Sequence, residues 1–471
     1  EVLSNSSYVG GLVGYIGNTI YDSYATSNVT ASGDHVGGLA GYVGYVENSH
    51  ATGNIYGSSS YVGGLAGRLA YIWAGSGASY ATGTVFGAGE RVGGLVGSFD
   101  GGTINNAYAT GAVSGNSNYV GGFVGYMSGG TITDSYATGS VTENSGGAYT
   151  GGFAGYTAGT LTRVRASGAV SGYTQVGGLI GQNNATVTAS SASGNVIGTN
   201  NSVGGFVGYN NGGSIDGSTS TGTVYGSGGV YVGGFVGFNS ATITNSKANI
   251  STVNATTGVG VKGANQVGGF VGYMGNGTIT GSGASGTVSS PLMVGGFVGQ
   301  LQNGTINTSY SNDIVSSTTN STSGMAGGFV GELVYGTITS SRAAGSVTGY
   351  GRVGGFIGYA NYSGTISQSY ATGSVTQNGA STVGAAGGAG GFGGYLDNNF
   401  TGSFTDFYAM GAVKGTQNVG GLIGYADRGT FSNGFATGMV NSSSSAITVG
   451  GVFGKINTGY VSGTSSPLRV I

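Results

Sequence analysis

The chain has 471 residues, of which 108 are Gly, only 2 are Pro and none is Cys, and charged residues are held to 6% for a formal net charge of −2. Collagen would need Gly at every third position with abundant Pro, a disordered chain would carry more charge and fewer aromatics than 31 Tyr and 18 Phe, and a disulfide scaffold would need Cys. A near-neutral chain without a Lys/Arg run offers no electrostatic ground for a nucleic-acid partner, and no stretch of about 18 apolar residues could insert into a membrane as a helix.

Along the chain, a V-G-G-[LF]-[VAI]-G anchor recurs sixteen times with some degeneracy, starting at Val9, Val36, Val62, Val92, Val120, Thr150, Val176, Val203, Val232, Val267, Val294, Ala326, Val353, Ala389, Val419 and Val449. The spacing runs from 26 to 36 residues and averages about 29. Each anchor is followed by a second motif, cleanest in "GTITDSYATGSV" at 130–141 and "GTISQSYATGSV" at 364–375. A variable stretch then leads to the next anchor, with the largest insertions around Asn254–Asn265, Ser316–Met325 and Gln377–Ala389.

The local pattern predicts strands. Segments of five to seven residues rich in Val, Ile, Thr, Tyr and Phe lie between Gly, Asn and Ser punctuation, with no sustained helical spacing. Three short strands in about 29 residues match one coil of a parallel β-solenoid, so the expected fold is an all-β, parallel β-helix of about sixteen coils, filling residues 1–471 as one continuous domain. At the strand spacing such a stack would be a rod of roughly 75–80 Å. The Gly-Gly pair is expected at a corner, where the chain turns sharply with positive φ. The apolar anchor residues are expected to stack inside, as in Leu12, Leu39, Leu65 and Leu95.

The anchors "VGGLVGY" (9–15) and "VGGLAGY" (36–42) resemble GLUG repeats, and the resemblance extends over essentially the whole chain. It implies an extracellular or cell-surface β-helical segment of the kind found in secreted prokaryotic adhesins and in some immunoglobulin A-cleaving metallopeptidases. It does not carry peptidase activity here. That chemistry needs H-E-x-x-H, and the two histidines, His35 and His50, are followed by Val36 and Ala51.

Candidate surfaces follow from stacking. Tyr24, Tyr80, Tyr108, Tyr136 and Tyr370 share one position of the second motif and are candidate surface-contact aromatics, able to grip a neighbouring chain or a sugar, or simply to join adjacent coils. T-x-T pairs such as Thr131/Thr133, Thr278/Thr280 and Thr337/Thr339 would form an outward array like that of ice-binding proteins, interrupted by Asn105, Asp216, Asn307 and Ser367. Asp22, Asp134 and Asp406 share a column but lie at least four coils apart. Asp397 and Asp427 fall in neighbouring coils, at about the separation of a retaining glycosidase pair. No catalytic, cofactor or metal site is assigned. Sequons, hence possible glycosylation sites, occur at Asn5, Asn28, Asn184, Asn200, Asn249, Asn254, Asn276, Asn303, Asn307, Asn320, Asn361, Asn399 and Asn441.

The chain starts in mid-pattern at Glu1 and neither end reads as capped, which suggests an excised segment or ends that pair with further copies. The expected function is non-enzymatic: an extracellular or cell-surface filament subunit or adhesin stalk, without a cofactor. Its expected partners are copies of itself, end to end or side by side, and host or cell-surface glycans, with neither nucleic acid nor membrane insertion. A carbohydrate-binding or carbohydrate-degrading solenoid is the alternative, and an ice-binding protein the third reading.

Overall fold

A computed structural model describes residues 1–72, 78–228, 231–255, 266–321, 323–378, 387–442 and 448–465. Most of the insertions expected after Asn254 and Gln377 therefore lie outside the described residues. The chain divides into two compact units, Glu1–Val224 and Tyr225–Ile471. Each contains eight anchor strands, and among the described residues there is no helix.

Within each unit the chain winds as a parallel β-solenoid. In the first, Val62 pairs with Val36 on one side and Val92 on the other, while Gly63 sits between Gly37 and Gly93. In the second, Val267 lies between Val232 and Val294 in the same register. One turn holds five short strands rather than three: Val120–Gly121, Val124–Met127, Thr131–Thr133, Tyr136–Ala137 and Val141–Glu143. The extra pieces are two residues long, too short for period-two alternation to mark them in a sequence.

Interior positions form columns at the strand spacing. Leu39, Leu65 and Leu95 are fully buried, and Leu12, in the first turn, is 52% exposed. In the second unit Phe235, Phe270, Phe297, Phe329, Phe356 and Phe392 are fully buried, with successive ring centroids 4.7–4.8 Å apart and planes within 9°. Isolated ring pairs favour offset or edge-on packing. Parallel stacking is imposed here by the backbone, which repeats the same position one strand spacing above.

The anchor glycines act differently from the expectation. None of them has positive φ. They are required by close approach: a Cβ on Gly93 would overlap the Val96 carbonyl oxygen and stand 2.7 Å from the Gly125 nitrogen of the next turn, and a Cβ on Gly94 would overlap the Gly122 carbonyl oxygen. In the first unit the left-handed residue at this corner is the one before the anchor, whereas among the described residues of the second only Asn418 at that position has positive φ. Tyr8, His35, Tyr61, Arg91, Tyr119, Tyr149, Gln175 and Ser202 have φ of 54–69°. Holding non-Gly residues there costs on the order of 1 kcal/mol each, offset at Tyr8, His35, Tyr61, Arg91, Tyr119 and Tyr149 by stacking of their side chains.

A second left-handed column precedes the Tyr position, through Asp22, Asn48, Asn106, Asp134, Arg163 and Ala189 in the first unit. In several turns the next residue is a buried serine, as at Ser49, Ser135 and Ser190, while Ala107 and Val164 follow Asn106 and Arg163. The Ser49 hydroxyl donates to the Glu47 carbonyl at 2.7 Å and accepts the Ser23 backbone N–H at 3.0 Å; Ser282, Ser309, Ser341 and Ser369 repeat the arrangement in the second unit. Each hydroxyl thus satisfies a buried donor of the preceding turn.

Two measurements check this account. Gly93→Ala should destabilise the protein by about 2–3 kcal/mol in guanidinium unfolding. Gly101→Ala, whose Cβ would meet nothing within 4 Å, should fall within about 0.5 kcal/mol of the parent. Ser309→Ala should cost about 1–3 kcal/mol, because the Ser282 N–H loses its acceptor in a buried setting.

Candidate functional site

Stacking brings the candidate aromatics together. In the first unit Tyr24, His50, Tyr80, Tyr108 and Tyr136 form one continuous column, with successive centroids 5.3, 4.5, 4.6 and 5.1 Å apart and planes within 9°. Arg165 continues it beyond Tyr136. In the second unit Tyr370 stacks on Tyr408 at 4.7 Å and Tyr408 on Phe435 at 4.9 Å, while Arg342 lies 4.8 Å from the Tyr310 ring. Because each ring covers the face of the next, a ligand alongside meets ring edges and hydroxyls rather than aromatic faces. Tyr24 is 64% exposed and Tyr136 39%, with Tyr80, Tyr108 and Tyr370 half-buried.

The columns before and after the anchor meet edge to face. Tyr119 stacks on Tyr149 at 4.8 Å and stands at 81° to Tyr126, which stacks on Tyr156. Arg91 fills a gap in the pattern, 4.8 Å from the Tyr61 ring and 4.3 Å from the Tyr126 ring. His35 lies between Tyr8 and Tyr61 at 4.6 and 4.4 Å, and neither ring nitrogen has a hydrogen-bond partner. Burial pushes its pKa down, so the ring is uncharged at neutral pH.

The second unit carries a polar cluster that spans several turns. The Gln266 amide donates to Gln300 at 3.0 Å, and Gln300 donates to Glu332 at 2.9 Å. Burial raises the Glu332 pKa, with Arg352 acting against it. The Arg352 guanidinium lies 4.1 Å from the Tyr359 ring and 5.1 Å from the Tyr395 ring. The register puts Asp397 and Asp427 in consecutive turns, as their spacing implies. Asp397 accepts the Tyr359 hydroxyl at 2.8 Å, and Asp427 accepts the Asn457 amide at 2.7 Å. Tyr395 and Tyr425 stack at 4.6 Å, and burial, then the neighbouring Tyr425, pushes the Tyr395 pKa up to about 12. The result is an aromatic shelf edged by two carboxylates, each engaged by its own neutral donor.

The other column acids are also partnered. Asp134 forms a two-point ion pair with Arg163 of the next turn, both contacts at 2.7 Å, and Arg163 holds its pKa down. Asp22 accepts the Asn48 amide, and Asp406 accepts that of Asn433 at 2.9 Å. The Asp134–Arg163 pair escaped sequence reading, although aligning "TITDSY" on "TLTRVR" would have found it. Among the described residues no three His, Cys, Asp or Glu side chains gather as a metal site would require. Of the sequons, Asn5, Asn28, Asn184, Asn249, Asn276, Asn303, Asn320 and Asn399 are exposed, and Asn200, Asn307, Asn361 and Asn441 are half-buried. The Asn254 side chain lies outside the described part.

Asp313 was also missed. It replaces the glycine of the "ATG" position, is 2% exposed, and has the Ser311 hydroxyl 3.4 Å from one carboxylate oxygen. Burial pushes its pKa up to about 8.

The family model of the GLUG motif matches six segments, residues 5–30, 116–142, 199–225, 228–254, 263–289 and 349–376. Each covers one anchor and the second motif after it. No curated protein and no solved structure matches the chain.

An acid whose pKa is raised on folding stabilises the fold fully only below its unfolded pKa, and that contribution is lost as pH rises through the folded value. For Asp313 the window runs from the ordinary 3.8 to about 8. The guanidinium midpoint should therefore fall between about pH 4 and pH 8. Asp313→Asn should flatten that fall and leave the protein more stable than the parent at pH 8.

Proposed function

We propose that this chain, a GLUG-motif protein folded as a parallel β-solenoid, is a non-enzymatic structural repeat protein of the cell exterior that works by assembly, as a filament subunit or an adhesin stalk. The observation that carries the reading is the identity of register from turn to turn. Val on Val and Gly on Gly recur in both units, so every turn offers its neighbour the same row of backbone donors and acceptors and the same side-chain columns. A turn of one copy is therefore complementary to a turn of another, and strand edges pair readily when so matched.

The surface chemistry supports the same reading. Charged side chains are few, and several on the columns are engaged along them, as in Asp134 with Arg163 or Asp427 with Asn457.

Electron microscopy of the protein in its native, unfused form tests the proposal. Continuous fibres whose diffraction shows a meridional spacing of about 4.8 Å are the expected result. Discrete particles at every concentration would overturn self-assembly.

A further inference from the structure

Over six consecutive turns of the second unit two outward columns carry neither charge nor aromatic ring, although exposed Tyr335 and Tyr362 stand just before two of the turns and Arg428 and Tyr460 line a cleft with the last residue, Thr430. The outer column runs Thr278, Thr305, Thr337, Thr365, Ser403 and Thr430, each paired in register with the next. The residue two positions on in every strand is Thr, Ser or Asn, which gives a second column on the same face. Repeats are roughly 4.8 Å along the stack and roughly 6.7 Å across each strand. Asn307 and Ser367, read from the sequence as breaks, fit the second column: the Asn307 side-chain oxygen accepts the Thr339 hydroxyl at 2.9 Å. Charged Asp216 belongs to the other unit.

Two further observations point outward. Part of the second column is bonded along the stack, Thr339 to Asn307 and Ser432 to Thr405, the latter at 3.1 Å. The six hydroxyls of the outer column have no hydrogen-bond partner among the described residues, and Thr278, Thr305, Thr365 and Thr430 are exposed. Beneath them Ile279, Ile306, Ile338, Ile366, Phe404 and Phe431 are fully buried and seat the strands on the core.

We infer that this face binds the surface of ice. A rigid, uncharged lattice of hydroxyls and methyls orders water at its own two repeats, and the oxygens of a prism face of hexagonal ice repeat at closely similar spacings. Charged groups would instead hold hydration shells of their own. Each bridging water adds little, but a dozen sites at fixed spacing engage together, so the sum is large once the first few are seated. A crystalline polysaccharide fits less well because the two columns themselves hold no ring for sugars to lie on, and the bordering Tyr335 and Tyr362 stack on each other. A second copy fits less well because it has neither an apolar anchor nor complementary charge.

The test is ice-affinity partitioning of the full chain onto a slowly growing ice front, with fluorescently labelled protein imaged on a single crystal. Enrichment in the ice and coverage of prism faces are expected. Thr305→Lys with Thr337→Lys should abolish adsorption while far-UV circular dichroism and the melting temperature stay at parental values, and Thr305→Ser should retain part of it. Exclusion of the parent chain from the ice overturns the inference, as does adsorption of a folded double-lysine variant at the parental level. Retention on crystalline cellulose with exclusion from ice overturns it in favour of a polysaccharide.

Discussion

Parallel pairing of each turn with the next governs this molecule. It places every residue one strand spacing above its counterpart, so any side chain must tolerate a near-copy of its own environment at about 4.8 Å. Apolar residues gain from this, and the interior fills with Val, Ile and Phe columns. Charges lose, since like charges at that distance repel by roughly 1 kcal/mol in water and several-fold more near a protein surface. The scarcity of charge follows, and so does the placement of several charges that remain, Asp397 and Asp427 in consecutive turns being the exception, each met by a neutral donor. Arg91 stands among tyrosines, Glu332 between Gln300 and Tyr359, and Asp134 below Arg163.

The same constraint shapes the surfaces. A Tyr column hides ring faces and shows edges, and a Thr column shows a regular plane of hydroxyls and methyls. Single residues therefore matter less than rows, and a function on such a scaffold is exerted by repetition. Rows can engage another copy of the chain, whose spacing is identical by construction, or a lattice whose spacing happens to match.

Much of this was legible in the sequence, because a repeat compresses three-dimensional information into one dimension. The anchor period, the parallel solenoid, the interior Leu and Phe columns, the shared position of the candidate tyrosines and the adjacency of Asp397 and Asp427 all follow from counting residues. The role of the anchor glycines did not. Their need for space comes from backbone atoms of other turns, as at Gly93 and Gly94, and nothing local distinguishes that from a positive-φ requirement. The serine network was hidden for a similar reason, since its acceptor and donor belong to different turns.

The sequence by itself determined the period, the strand character and which residues would share a column, because those depend only on spacing and alternation. Only the tertiary structure decided which hydroxyls are already engaged, which atoms crowd the anchor glycines, and how deeply Asp313 is buried. Each of these depends on the chain's path between the repeats, on the left-handed corners that aim the side chains, and on the atoms of neighbouring turns that shield them from water.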